Sequence, residues 1–227
     1  DALVNNAAGQ GTCGYGTFNS TSLQYVQASD SSLFDLGAFT VSIWVYNTAR
    51  PASGLMTILS KDENFEFHLK PTGVVNWWWQ DSGTAREFDS AAVIPLNTWT
   101  HVAIRFAPGT GNQRLYINGV LNATYATAGA PAPLTNNDPL QIGQDQGFAG
   151  RYFRGNLDEV RIYPIAFNDT QILALSQERH PCASAGPHHL EFSHDGSALT
   201  CQAETVTLRA CANASCSSLF TNPVTAT

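Results

Sequence analysis

Charge is scarce in this chain: of 227 residues, 11 are Lys or Arg and 18 are Asp or Glu, for a net charge of −7. The basic residues form no cluster, so a nucleic-acid or anionic-membrane partner has no electrostatic footprint here. No apolar run approaches the ~20 residues that span a bilayer, and no membrane span is expected. Asp1 follows neither an initiating Met nor an apolar leader, so the sequence reads as a processed chain or a segment of a longer one. Cysteine is limited to Cys13, Cys182, Cys201, Cys211 and Cys216, with no C-x-x-C pair. That spacing suits neither zinc nor an iron–sulfur cluster and leaves disulfides, formed outside the cytosol, as the economical reading.

What the chain does have is Ser, Thr, Asn, Gly and aromatic residues, the palette of strands joined by many turns. From Ser22 onward short alternating runs recur: "SLQYVQ", "FTVSIWVY", "LMTILSK", "FEFHLK", "VVNWWW", "WTHVAIRF", "QRLYING", "LQIGQ" and "GNLDEVRIY". Regular short strands without intervening helices predict an all-β sandwich or barrel. One helix is predicted in "NDTQILALSQERH", opened by the capping residue Asn168 and stopped before Pro181. "HPCASAGPHH" reads as a linker, and "HHLEFSHD", "ETVTLRAC" and "SLFTNPVTAT" as strands of a second unit of about forty residues. N-x-S/T triplets at Asn19, Asn122, Asn168 and Asn213 are candidate glycan acceptors.

The stretch "VVNWWWQD" places Trp77, Trp78 and Trp79 side by side. In a strand, successive side chains point to opposite faces, so if Trp77 and Trp79 enter a core, Trp78 must face away, and the reverse. The outward face is then a subunit contact, a sugar-stacking platform or a second packing surface, with Gln80, Asp81 and Arg86 close enough in sequence to hydrogen-bond hydroxyls.

The pieces "FTVSIWVY", "NTWTHVAIRF", "QRLYINGVL" and "GNLDEVRIYPIAFNDTQI" resemble, in order and spacing, the laminin-G-like jelly-roll domains of the concanavalin A-like sandwiches, over residues 13–180. In "YING", Gly119 occupies the turn position that needs positive φ, and "LDEVRIY" alternates Leu157, Glu159 and Arg161 against Asp158, Val160 and Ile162. Beyond the linker at 181–187, residues 188–227 resemble the Ig-like region of MshQ-like, pilus-associated bacterial surface proteins. The resemblance implies an antiparallel jelly-roll β-sandwich followed by a partial Ig-like β-sandwich, in a secreted or surface-displayed protein of glycan-binding, calcium-dependent or structural role. It also implies a calcium site, for which Asp30, Asp35 and Asp158 supply carboxylates.

Catalysis is not expected. The nearest approach to a glycosidase carboxylate pair is "KDENFEF", with Asp62 and Glu63 adjacent and Glu66 three residues on, whereas a retaining pair needs carboxyls ~5 Å apart across the substrate. His180, His188 and His189 read as solvated linker residues, and His101 as a hydrogen-bonded strand residue. Cys13 and Cys182 flank the jelly roll and are expected to bridge. Among Cys201, Cys211 and Cys216 one pair is expected: Cys211 with Cys216 closes a short loop, and Cys201 fits either. Too short for a full sandwich, the tail needs either more chain or a strand from another copy, and residues 1–12 are the candidate donor. The sequence therefore points first to a structural or adhesive module of a bacterial appendage, self-assembling into a fibre or part of a longer adhesin. The alternative is a calcium-dependent glycan-binding lectin module.

Overall fold

Among the described residues the period-two runs of Val, Ile, Leu and Phe pair antiparallel and turn their apolar side chains to a common core. The structure, a computed structural model, describes residues 3–4, 14–107, 113–125, 132–178, 187–193 and 207–219. It divides into a first unit, Asp1–Pro181, and a second, Cys182–Thr227.

In the first unit the strands run in chain order as β1 (Leu3–Val4), β2 (Gly14–Phe18), β3 (Val26–Ala28), β4 (Phe39–Asn47), β5 (Met56–Lys61) and β6 (Phe65–Leu69). They continue as β7 (Val74–Asp81), β8 (Thr84–Val93), β9 (Thr100–Phe106), β10 (Arg114–Ile117), β11 (Val120–Thr124), β12 (Leu140–Ile142) and β13 (Gly155–Tyr163). A seven-stranded sheet has the order β1-β2-β13-β4-β9-β10-β11, and a six-stranded sheet the order β3-β12-β5-β6-β7-β8. Their facing sides form one core: Phe39, Val41, Ile43 and Val45 of β4, Phe65 and Phe67 of β6, Trp77 and Trp79 of β7 and Phe106 of β9 are all fully buried. Leu3 and Val4 pair with Tyr15 and Gly14 of their own chain, so this part of the expected donor segment is seen extending its own sheet.

Two local readings of the sequence can be followed directly. Asn118 and Gly119 take φ of 51° and 77° in the β10–β11 turn, the positive pair that a tight right-twisted hairpin requires. The strict alternation expected of "LDEVRIY" does not hold, because the β13–β4 register shifts between Asp158 and Arg161, with Glu159 at φ 49°. This β-bulge resets the phase, so Leu157, Val160 and Ile162 all pack against the core.

The predicted helix is α1 (Asp169–Gln177), closed by a reciprocal capping box between Asn168 and Gln171. It covers the back of the seven-stranded sheet, where Ile172 packs on Ala103 and Tyr116, and Tyr116 donates its hydroxyl to Asp169 at 2.7 Å. On the same sheet His101 meets Ser42 Oγ at 2.8 Å and the Trp44 ring edge-on at 5.4 Å, a hydrogen-bonded strand residue as expected. Burial, followed by the positive charge of Arg161, lowers its pKa to about 4, which keeps the ring neutral at physiological pH.

In the second unit β14 (His189–Ser193) pairs with β15 (Thr207–Cys211), and the Cys211–Cys216 disulfide ties off the following loop with Cα atoms 4.8 Å apart. Among the described residues these two strands and a bridge from Cys211 to Leu219 are its sheet structure. Cys13, Cys182, Cys201 and Val206 lie outside the described residues.

Candidate functional site

β7 resolves the tryptophan alternation. Trp77 and Trp79 are fully buried between the sheets, Trp77 packed against Phe67 at 4.9 Å and Phe65 at 5.8 Å and donating its indole N–H to Gln113 at 3.1 Å. Trp78 therefore belongs to the opposite face of the six-stranded sheet, and it is only half-buried. Its cross-strand neighbours are Glu66 on β6 and Glu87 on β8. One step along, His68, Asn76 and Asp89 form the next row, with Asn76 donating to Glu87 at 2.7 Å and Asp89 at 2.8 Å.

Over this face the loop following β12 folds back to enclose a pocket of about 180 Å³, lined by Leu55, Asp62, Glu63, Glu66, His68, Trp78, Gln80, Phe148 and Arg151. Its floor is a charged cluster. His68 Nε2 lies 2.7 Å from Glu66 Oε2 and 3.8 Å from Asp145 Oδ2, and Arg151 Nη1 lies 2.7 Å from the same Asp145 oxygen. Glu66, His68 and Asp145 are essentially inaccessible, a position that carboxylates occupy only when paired. The Arg151 guanidinium stacks on the Phe148 ring at 3.7 Å. Desolvation opposes charge on both His68 and Asp145, but for His68 the hydrogen bonds and charges of Asp145 and Glu66 outweigh it and raise its pKa, and for Asp145 the contacts with His68 and Arg151 outweigh it and lower its pKa. The cluster is thus held as a network in which Arg151 and His68 face the Asp145 and Glu66 carboxylates. By distance the three side chains would also suit a metal ion, yet the Asp145 oxygen nearest His68 is the one that Arg151 holds.

Asp62, at the rim, behaves differently. Burial, followed by the charges of Asp145, Glu66, Asp138 and Glu63, raises its pKa to about 6. The folded state therefore holds this proton to higher pH than the unfolded chain does, and stability falls as pH rises from about 4 to 6, the penalty being fully present at pH 7. Asp62→Asn is expected to raise Tm at pH 7 by about 2–4 °C, roughly 1 kcal/mol after discounting for its exposure, and to leave Tm at pH 4 unchanged. Thermal unfolding at the two pH values checks this.

The other expected site residues are distributed elsewhere. Arg86 lies opposite Trp79, across the sheet from the Trp78 face, and is paired with Asp81, so neither lines the pocket; of the three hydrogen-bonding candidates only Gln80 does. Asp30, Asp35 and Asp158 do not assemble: no metal-suited group among the described residues contains them. Asp158 is on β13 opposite Trp44 and accepts from the Glu159 amide, and Asp35 ends the short 3-10 turn Ser32–Phe34. Asp30 instead faces Lys61, a fully buried lysine whose ammonium donates to Asp30 Oδ1 at 2.8 Å, the Asn136 carbonyl at 2.9 Å and side chain at 3.0 Å, and the Asp138 carbonyl at 2.7 Å. An oxygen cage suited to a cation is here filled by the Lys61 ammonium. The four glycan-acceptor asparagines all have engaged side chains: Asn19 with Thr21, Asn122 with Ala92, Asn168 with Gln171 and Asn213 with Ser217.

Sequence reasoning missed Asp145, Phe148 and Arg151, because they come from a loop more than sixty residues beyond Trp78 that carries no local motif. His68 had a usable signal: in "FEFHLK" it shares the polar phase of Glu66.

Comparisons with known proteins agree with this architecture. No curated protein sequence matches the chain. Among solved structures, the binding domain of Paraclostridial Mosquitocidal Protein 1 superposes with a TM-score of 0.63 at 18% identity, covering 78% of this chain and 45% of that one. This chain thus spans under half the length of that relative. Domain 4 of AbnA, an extracellular arabinanase from Geobacillus stearothermophilus in complex with arabinotriose, gives 0.58 at 24% identity over 78% of this chain and 80% of that one. The CBM40 of the Ruminococcus gnavus IT-sialidase, bound to α2,3-sialyllactose, gives 0.54 at 17% over 68% and 98%. At these identities the likeness establishes a shared jelly-roll fold. A model of a domain of unknown function, DUF8613, matches residues 188–227. The Laminin_G_3 model matches residues 20–173, two thirds of the sequence, and the chain therefore belongs to the concanavalin A-like lectin/glucanase superfamily.

Proposed function

We propose that the first unit is a non-enzymatic glycan-binding module of an extracellular protein, with Trp78 as the stacking platform. The observation that carries this reading is the half-buried Trp78 beside Gln80, Asp62 and Arg151 in a pocket on the outer face of the six-stranded sheet. An indole face receives the apolar C–H side of a sugar ring, while the surrounding amide, carboxylates and guanidinium meet its hydroxyls. The carbohydrate-binding relatives support the reading, and the Cys211–Cys216 disulfide fits an oxidising compartment. Glu66, the third carboxylate of "KDENFEF", is buried against His68, which suits a support for the pocket wall better than proton transfer to a substrate. On a glycan array the protein is expected to retain neutral glycans and release no reducing ends. Trp78→Ala should weaken retention about thirtyfold or more without altering the circular dichroism spectrum. Unchanged retention by that variant would remove Trp78 from the site.

A second reading concerns self-association. Leu190 and Leu208, which share one face of the β14–β15 pair, are 42% and 49% exposed, an apolar surface that favours association with another chain, including strand addition from a second copy in a pilus-like fibre. A concentration-dependent rise in sedimentation coefficient that is absent after deletion of residues 1–11 supports strand donation, and a monomer at every concentration refutes it.

A further inference from the structure

The Trp78 pocket does not end at Leu55. That side chain also lines a neighbouring cavity of about 270 Å³, bounded by Arg50, Ser53, Met56, Gly150, Tyr152 and Arg154 among others. One stretch of chain walls both spaces: Phe148 and Arg151 face the first, while Gly150, Tyr152 and Arg154 face the second. This wall is built in advance. Its backbone is pinned by Thr57 N–H to the Arg151 carbonyl at 2.7 Å, Thr48 N–H to the Arg154 carbonyl at 3.1 Å and Phe153 N–H to the Gly143 carbonyl at 2.9 Å, and Phe153 is fully buried between them. Neither cavity alone reaches the roughly 300 Å³ at which ligand pockets begin, whereas the two together do.

We propose that the two cavities are one cleft that binds a linear oligosaccharide laid across Leu55, with one sugar on Trp78 and another on Tyr152. Tyr152 is braced by Tyr25, ring centroids 6.5 Å apart, as a second aromatic platform. The ends of the cleft differ in charge. Asp62, Glu63 and Glu66 outnumber Arg151 and His68 at the Trp78 end, whereas Arg50 and Arg154 line the other end, whose lining contains no carboxylate. The sugar on Trp78 is therefore uncharged, because a uronate or sialate there would meet like charge.

The inference rests on the glycan-binding reading, and its test separates the two. Arabino-, xylo- and cello-oligosaccharides of one to six residues are titrated calorimetrically into the full chain. On the ladder that binds, affinity is expected to rise about tenfold or more from one residue to three, as a second sugar gains contacts without a second association cost. Tyr152→Ala and, separately, Arg154→Ala should remove most of that gain, with circular dichroism confirming that each variant is folded. Affinity independent of chain length, or a gain that survives both substitutions, overturns the extended cleft and leaves a single-sugar site. Absence of binding to all three ladders, or equal binding by Trp78→Ala, overturns both.

Discussion

Lys61→Met is expected to destabilise the first unit by about 3 kcal/mol, read as a shift in the urea midpoint with an unchanged slope. Methionine reproduces the apolar stem but offers no donor, so the Asp30 carboxylate and the Asn136 and Asp138 carbonyls each lose a partner 2.7 to 2.9 Å away. Breaking a buried pair by removing one partner leaves the other desolvated and unpaired, an effect of about 3–5 kcal/mol. The lower figure applies because the Asp30 side chain is one-third exposed and water recovers part of its solvation. The substitution also frees the segment around Asn136, which leads into β12 and the pocket wall. A loss under about 1 kcal/mol would mean that water replaces the ammonium.

Trp77→Ala is expected to lose about 3–5 kcal/mol, while Trp78→Ala one position away loses less than about 1 kcal/mol and yet removes sugar retention. Trp77 has no accessible surface, packs against Phe39, Phe65 and Phe67 with ring centroids 4.9 to 5.9 Å away, and spans the gap between the two sheets. Truncating it opens a void that surrounding strands, fixed by ladder hydrogen bonds on both sides, cannot close. Trp78 is half-buried and borders the pocket, so its removal enlarges an open space and leaves no sealed void. Chemical denaturation of the two variants, run beside the glycan array, checks both halves of the contrast.

Much of the molecule was legible before its structure. Class and strand positions followed from period-two runs, the helix from the capping residue Asn168 and the stop before Pro181, and the β10–β11 turn from Gly119, because each depends on residues within a few positions of one another. The bulge at Glu159 was not legible, since nothing in "LDEVRIY" marks where pairing with β4 slips by one residue. Nor was the fate of Asp30: the resemblance implied a metal there, but the cation facing it is a lysine from β5, thirty-one positions away.

The triple tryptophan divides along the same line. By itself the sequence determined that Trp77 and Trp79 share one face and Trp78 the other, because side-chain alternation is a property of the extended backbone. Which face became the core was decided by the opposing sheet: β4 and β9 bring Phe39 and Phe106 to within 5.9 and 6.4 Å of Trp77 and Trp79. That Trp78 then faces a pocket and not open solvent depends on the return of Phe148 and Arg151 from more than sixty residues further along the chain, and on the network of Glu66, His68 and Asp145 that anchors them. Contacts between residues so distant in sequence are set by the packing of two sheets, and no local pattern records them.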